Sequence, residues 1–290
     1  MQFMMAFAGC LVLVAAFFVL VIVLATFRGE TDGRFTLSTH RVAVVPIEGP
    51  IIESRETVDK LEEYADSSTV KAIVVRINSP GGAIAPSQEI YSQILQIREE
   101  TGKPVVASFD SVAASGGFYI ASACDEIVAN PGSITGSIGV ILQWLEYEEL
   151  IRWAKMRPQT LTSGPLKSAG SPFENLTEEQ RQYLQNVVNQ LHTQFVRAVA
   201  AGRKGKLSQE DVARLADGRV FTGEEALSLK LVDRLGTLRD AVRVAGSLAG
   251  FGRHSASATM GRGVGHSFRR NKIDGADDAC VVMANRRAPP

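Results

Sequence analysis

Short apolar runs rich in β-branched residues alternate with segments of helical periodicity from residue 41 to residue 249. Strands separated by helices form a parallel sheet with right-handed crossovers, so this alternation predicts an α/β domain. The predicted strands cover 42–47, 72–77, 105–109, 126–129 and 159–161. The predicted helices cover 57–64, 86–99, 115–123, 145–155, 177–201 and 238–249, with two shorter helices beginning near Ser208 and Thr222.

The first 27 residues contain no charged side chain, and residues 7–27 are almost continuously apolar. About 20 apolar residues suffice for a helix to cross a bilayer, so we expect an uncleaved transmembrane anchor at 1–27. The alternative is a cleaved signal peptide, but such a peptide has a basic start and an apolar core of only about 7–15 residues. The charges that flank the span do not decide its orientation.

The remainder of the chain divides by composition. Residues 28–40 form a polar linker and residues 41–250 form the α/β domain. Residues 251–290 are rich in Gly, Ser and Arg without periodicity, which predicts a disordered tail. The charges balance, with 31 basic and 31 acidic side chains, and this does not favour a nucleic-acid partner. Three distant cysteines have neither zinc-site nor disulfide spacing.

Three loops of small residues adjoin predicted strands or helices: Asn-Ser-Pro-Gly-Gly at 78–82, Ala-Ala-Ser-Gly-Gly at 113–117, and a Gly/Ser-rich loop at 132–139. Ser115 is a candidate nucleophile, because a serine at a helix start followed by two glycines offers an exposed Oγ near backbone N–H donors for an oxyanion. Gly81 and Gly82 are candidates for a second donor. The alternative is that Ser115 only caps a helix.

A nucleophilic serine also needs a base. Three of the four histidines lie in the linker or the tail, and His192 lies on the predicted long helix beside its apolar stripe, so a Ser–His–Asp triad is poorly supported. A lysine in an apolar setting acts as a base in its neutral form. Lys167 has no acidic residue within six positions, although a solvated loop lysine is an equal alternative. A hydroxyl such as that of Ser137 can orient a neutral lysine, but Ser137 alone is typical of a turn.

Four of these segments resemble the signal peptide peptidase A (protease IV) family in its short, single-repeat form. Segments 78–82, 110–117, 136–139 and 167–172 follow the family's order at closely similar spacing, and the similarity runs from about residue 41 to residue 245. The first loop is shared with the wider Clp-protease/crotonase fold, whereas Ala-Ala-Ser-Gly-Gly together with the distant Lys167 segment is more specific. The tail after residue 250 does not resemble the family.

The resemblance implies a Clp-protease/crotonase-like α/β fold of repeated strand–helix units, preceded by one transmembrane helix. It implies a serine peptidase in which Ser115 is the nucleophile, Lys167 is the general base and Ser137 positions Lys167. Neither a metal nor a cofactor is required by this chemistry.

The resemblance also implies oxyanion donors at Gly116 and in the Gly81/Gly82 loop. The expected substrates are remnant signal peptides and other extended apolar peptides, degraded by a homo-oligomeric ring on the extracytoplasmic side of the cell membrane. In short family members the serine and the lysine of one site come from adjacent protomers. We therefore expect a single chain to hold Ser115 and Lys167 apart.

Two other functions are open to a chain of this pattern. A crotonase-type acyl-CoA enzyme shares the fold, but it requires an acidic residue near the glycines, and neither loop supplies one. A non-catalytic membrane scaffold on the same fold is the other alternative, although it gives no reason for Ser115 and Lys167 to be intact.

Overall fold

The computed structural model describes residues 40–251 and 279–283 of the 290-residue chain. The predicted anchor at 1–27 and most of the linker and tail lie outside the described residues. Among the residues described, no helix combines the length and the hydropathy needed to cross a bilayer.

One eight-stranded sheet runs through the described domain in the order β6-β5-β3-β2-β1-β8, while β4 pairs with both β3 and β7. The pairings are parallel except that of β5 with β6. The strands are β1 (His40–Glu48), β2 (Val70–Ser79), β3 (Val105–Ala114), β4 (Glu126–Ala129), β5 (Ile134–Gly136), β6 (Val220–Thr222), β7 (Arg234–Leu235) and β8 (Ala279–Met283).

Eight helices lie in the described residues. They are α1 (Arg55–Asp66), α2 (Ile84–Thr101), α3 (Gly116–Ala121), α4 (Glu148–Trp153), α5 (Glu178–Gly202), α6 (Gln209–Leu215), α7 (Gly223–Ser228) and α8 (Leu238–Leu248). The side chains of Thr177, Ser208 and Thr222 accept hydrogen bonds from the first turns of α5, α6 and α7. Such caps satisfy N–H groups that have no partner within a helix, which is why the sequence marks these helix starts clearly.

Both faces of the central sheet are covered, so its strands are apolar on both sides. One core contains alternate residues of β1 and β2, such as Val45 and Val75, together with residues of α1, α2, α3 and α5. The other contains Val44 and Val74 and packs against α8. These continuous apolar strands confirm the prediction of an α/β domain built on a parallel sheet.

The structure departs from the predicted elements in several places. The strand predicted at 159–161 is wrong, because these residues are exposed and have no partner strand. The helix predicted at 145–155 is reduced to the six residues of α4. Four short strands were not predicted, and one of them, β8, lies in the predicted tail, where it pairs along the outer edge of β1.

The carboxyl ends of β2, β3 and β5 lie together at one edge of the sheet. Ser79 is in register with Ala113, and Ala114 is in register with Gly136. The three loops of small residues therefore leave the sheet side by side, which is the usual place for a binding site in an α/β fold.

Candidate active site

Ser115 lies at the sharp turn between β3 and α3. Its φ angle is 51°, a left-handed conformation that non-glycine residues rarely adopt. Ser115 occupies the N-cap position of α3, but its side chain makes no capping hydrogen bond. Its N–H donates to the Gly136 carbonyl oxygen at 2.9 Å, so the turn is fixed through the backbone. A strained strand-to-helix turn that leaves a serine hydroxyl uncommitted is the geometry of a nucleophile.

The loop at 78–82 lies directly against Ser115. A Cβ atom at Gly81 would lie 2.7 Å from both the Ser115 Cβ and the Gly116 nitrogen, so only glycine fits at this position. Gly82 is equally confined, because a Cβ there would lie 2.2 Å from the Ile51 carbonyl oxygen. The two glycines therefore allow the backbone of this loop to approach the serine turn closely.

Two N–H groups beside Ser115 have no acceptor in the described part of the chain. Gly116 begins α3, so its N–H has no partner within the helix, and a Cβ on Gly116 would lie 3.4 Å from the Gly82 nitrogen. The Gly82 N–H also makes no hydrogen bond among the described residues. The Gly81 N–H, by contrast, donates to Ser79 Oγ at 3.1 Å. Gly82 and Gly116 are thus the two amides available for an oxyanion.

Ser137 follows β5 on the neighbouring strand. Like Ser115, it has a φ angle of 51° and is partly buried. Its N–H donates to the Arg219 carbonyl oxygen at 2.7 Å. Because Ala114 and Gly136 are in register, Ser115 and Ser137 leave adjacent strands at the same level of the sheet.

A cleft opens beside Ser115 and is lined by Gly82 and Gly116. Its remaining walls are mainly apolar side chains from α2, α5 and the loop after β5: Ile84, Val140, Leu191 and Phe195. Tyr119 also lines the cleft, and its ring packs against that of Phe195 with the ring centroids 5.0 Å apart. Burial raises the pKa of the Tyr119 hydroxyl. This cleft can receive an apolar group held next to the serine hydroxyl.

Lys167 does not reach this cleft within the chain. Its side chain is exposed, and its loop packs on the start of α5, where Gln180 Nε2 donates to the Pro165 carbonyl oxygen at 3.0 Å. The cleft instead contacts Leu191, eleven residues further along α5, which corresponds to about 16 Å of helix axis. One chain therefore brings Ser115, Ser137, Gly82 and Gly116 together and leaves Lys167 apart.

His192 is not positioned as a base for Ser115. It lies on α5, and its Nε2–H donates to the Ala216 carbonyl oxygen at 2.7 Å. Its hydrogen bond holds the segment after α6 rather than the serine turn. Within the described residues, no cluster of three or more His, Cys, Asp or Glu side chains is arranged to hold a metal ion.

The turn formed by Asp217, Gly218 and Arg219 contacts the Ser137 loop and was not predicted from the sequence. The dipeptide Asp-Gly does indicate a turn in the sequence. It does not indicate which part of the molecule the turn contacts. Ser87 was overlooked as well, although it lines the cleft and is only 2% exposed.

The chain is similar to proteins of one known family. Residues 97–251, which include Ser115, Ser137 and Lys167, match the model of peptidase family S49. The putative protease slr0021 of Synechocystis is 43% identical over 216 residues, covering 74% of this chain and 76% of that protein. Among solved structures, a mutant of the 1510-N membrane-bound stomatin-specific protease aligns with a TM-score of 0.47 and 18% identity, over 70% of this chain and 84% of that one.

Two further relatives are longer than the aligned region. The putative signal peptide peptidase SppA of Enterococcus faecium is 36% identical over 183 residues, which are 63% of this chain and 52% of that protein. The chloroplastic serine protease SPPA of Arabidopsis thaliana is 30% identical over 226 residues, which are 75% of this chain and 33% of that protein. Both the family match and the identity to slr0021 lead to one conclusion: the chain belongs to peptidase family S49, a family of serine proteases.

Proposed function

We propose that the chain is a membrane-bound serine endopeptidase whose Ser–Lys dyad is completed between neighbouring copies, on a Clp-protease/crotonase-like fold. The proposal rests on the conformation and surroundings of Ser115. Its hydroxyl makes no capping bond, it stands on a strained turn, and the amides of Gly82 and Gly116 beside it have no acceptor in the described residues.

The proposed reaction is amide hydrolysis through an acyl-enzyme. Ser115 Oγ attacks the peptide carbonyl carbon while neutral Lys167 of a neighbouring copy takes the hydroxyl proton. The oxyanion that forms accepts hydrogen bonds from the amides of Gly82 and Gly116. The C–N bond then breaks as Lys167 protonates the leaving amine, and Lys167 next activates the water that releases the acid. Ser137 orients the lysine amine.

A second copy of the chain is the proposed source of the base. Lys167 lies in an arm, residues 141–173, whose large apolar side chains are exposed, including Ile141 at 86%, Trp153 at 81% and Leu161 at 101%. The arm is folded back on itself, since the Tyr147 N–H donates to the Pro172 carbonyl oxygen at 2.6 Å. A concentration of exposed apolar side chains in one segment is typical of a protein interface.

The contact between copies would use two different surfaces. The arm of one copy would meet the cleft edge of the next copy, which is a head-to-tail contact. Head-to-tail contacts close into rings when the rotation permits. Burial of the arm would also place Lys167 in the dry, apolar setting that a lysine base needs.

The cleft supports extended apolar peptides as substrates. The side chain of a residue next to the cut bond would enter among Ile84, Val140, Leu191 and Phe195, and the peptide backbone would pair with a neighbouring strand end. Remnant signal peptides have this apolar character, and one S49 relative carries the name signal peptide peptidase. The predicted anchor at 1–27 would hold the domain at the membrane, on the extracytoplasmic side.

The test is hydrolysis of a fluorogenic apolar peptide by the detergent-solubilised full chain, beside Ser115→Ala and Lys167→Ala. We expect each change to lower kcat by at least about 10³-fold, because both groups take part in bond breaking. Lys204→Ala, which removes another exposed lysine, is the matched control and keeps wild-type activity.

Labelling by a serine-directed fluorophosphonate separates catalysis from scaffolding. Wild-type protein should be labelled at Ser115, and Ser115→Ala should not be labelled. An assembled wild-type protein that neither labels nor cleaves any apolar peptide would favour the scaffold. Full activity in Lys167→Ala would show that the base is another group.

A further inference from the structure

The turn formed by Asp217, Gly218 and Arg219 lies between α6 and β6 and is bonded to the backbone on both sides of Ser137. The Ser137 N–H donates to the Arg219 carbonyl oxygen at 2.7 Å, and the Gly218 N–H donates to the Ile138 carbonyl oxygen at 3.2 Å. These bonds continue the antiparallel pairing of β5 with β6. The turn therefore fixes the backbone of the loop that presents the Ser137 hydroxyl.

The same turn is linked to Ser115 through one further hydrogen bond. The Ser115 N–H donates to the carbonyl oxygen of Gly136, the residue immediately before Ser137. Gly136 is confined in turn, because a Cβ there would lie 2.6 Å from the Phe221 ring and 3.1 Å from the Arg219 carbonyl oxygen. Ser115 and Ser137 both have φ angles of 51°. Backbone in this sparsely populated region keeps its conformation only when the surroundings enforce it.

Two interactions hold the turn itself. The Asp217 carboxylate accepts hydrogen bonds from the Arg219 N–H at 3.1 Å and from the Arg219 Nε at 2.8 Å. The side-chain hydrogen bond from Arg219 lowers the pKa of Asp217 to about 2, so the carboxylate is charged at neutral pH. On the other side, His192 binds the carbonyl oxygen of Ala216, the residue before the turn, and so ties the turn to α5.

We propose that the turn of Asp217, Gly218 and Arg219 is a positioning element of the active site. It enforces the backbone conformation of Ser137 directly and that of Ser115 through Gly136. None of the three residues lines the cleft, so they act through the two serines and not on the substrate. The inference rests on the proposed function, because it assigns a purpose to the orientation of the two hydroxyl groups.

The alternative is a turn that only stabilises the fold, and a pair of glycines separates the two roles. Gly218 has a φ angle of +89° and Gly205 has one of +82°, and a Cβ atom at either would meet no atom within 4 Å. Alanine at either position therefore strains the backbone similarly without a steric collision. Only Gly218 is bonded to the Ser137 loop, whereas Gly205 lies in the turn after α5, so Gly205→Ala is the matched control.

The experiment uses the detergent-solubilised full chain and measures kcat, KM, the rate of fluorophosphonate labelling and Tm. We expect Gly218→Ala to lower kcat and the labelling rate by at least about tenfold, since displacements near 1 Å at a catalytic group have effects of this size. KM should stay within about twofold of wild type, because none of the three turn residues lines the cleft. Gly205→Ala should show a similar loss of Tm with wild-type kcat.

A second pair of variants at Asp217 covers the case in which Gly218→Ala does not fold. Asp217→Asn keeps an oxygen acceptor for the Arg219 N–H, whereas Asp217→Ala removes it. We expect kcat to fall in Asp217→Ala and to be largely restored in Asp217→Asn.

Three outcomes would overturn the proposal. They are equal kcat in Gly218→Ala and Gly205→Ala, an effect of Gly218→Ala confined to KM, and identical kcat in both Asp217 variants and the wild type. Failure of the proposed function has a different signature, because wild type and Ser115→Ala would then be equally inactive and equally unlabelled.

Discussion

Co-assembly of Ser115→Ala copies with Lys167→Ala copies should restore peptidase activity that neither variant has alone. Within one chain the Lys167 loop packs against Gln180 near the start of α5, and the first α5 residue that lines the cleft beside Ser115 is Leu191. These two contacts are eleven positions apart on α5, which corresponds to about 16 Å of helix axis and is far more than the length of a lysine side chain. Each working site should therefore draw its serine from one copy and its lysine from the next.

The expected magnitude follows from random assembly in equal amounts. A site works when its serine comes from a Lys167→Ala copy and its lysine comes from a Ser115→Ala copy. Each condition is met half the time, so about one quarter of the sites in a head-to-tail ring are intact. If Ser115 and Lys167 acted within the same chain, no site in this mixture would be intact.

The assay co-expresses the two variants with different affinity tags, purifies complexes that contain both tags and measures hydrolysis of the apolar peptide. The control mixes wild type with the double variant that lacks both groups. Assembly between copies again predicts about one quarter of wild-type activity, whereas a site within one chain predicts about one half. An inactive first mixture combined with half activity in the control, in intact assemblies, would show that Ser115 and Lys167 act within the same chain.

Three further predictions concern stability. Ile94 on α2 is fully buried and Leu95 is 37% exposed, so Ile94→Ala should lower the free energy of unfolding by about 2–5 kcal/mol and Leu95→Ala by much less in urea denaturation. Arg203→Ala should cost about 3–5 kcal/mol by thermal denaturation, because it leaves the buried Asp233 carboxylate without its guanidinium partner. Burial alone would raise the pKa of Asp233, but the hydrogen bonds from Arg203 and Lys206 outweigh it and lower that pKa. The stability contributed by the Asp233 carboxylate is therefore complete above the ordinary carboxyl pKa of about 4. It is lost as the pH falls through the lower pKa that Asp233 has in the folded protein. The difference in Tm between wild type and Asp233→Asn should therefore shrink at acid pH.

The elements that were predicted well are those with local signals. The apolar strand at 126–129 and the capped helices after Thr177, Ser208 and Thr222 lie where the sequence indicates, because alternation and capping act within a few residues. The strands β5, β6 and β7 have only two or three residues each. They exist because β3, β5 and β4 provide the partners of β5, β6 and β7, respectively, from other parts of the chain, and this information is not local.

The candidate site also has some features that the sequence predicts and others that depend on distant parts of the chain. The loops around Gly81, Ser115 and Ser137 could be predicted, because small residues at strand ends indicate close backbone approach. The sequence did not show that the Gly81 N–H is engaged by Ser79 Oγ, which leaves Gly82 as the available amide. Such assignments depend on the orientation of individual peptide groups. The orientation of a peptide group depends on how the loops pack together, and no local sequence pattern predicts it.

The contact between Gly116 and Ser87 offers a test of the amide geometry itself. A Cβ on Gly116 would lie 2.5 Å from Ser87 Oγ, and the next nearest atoms would lie at 3.4 Å. Ser87 is held in place, since it is buried and its hydroxyl donates to the Ala83 carbonyl oxygen at 2.9 Å. Gly116→Ala should therefore displace α3 from this hydroxyl and lower both Tm and kcat.

Adding Ser87→Ala to Gly116→Ala removes the one colliding atom. We expect the double variant to recover Tm, with a coupling free energy of about 0.5–3 kcal/mol in a double-mutant cycle. Because the Gly116 N–H is a proposed oxyanion donor, kcat should recover together with Tm as α3 returns to its place. Strictly additive losses of stability would show that the collision is relieved elsewhere. Recovery of Tm without recovery of kcat would instead show that the amide of Gly116 does not support catalysis in this position.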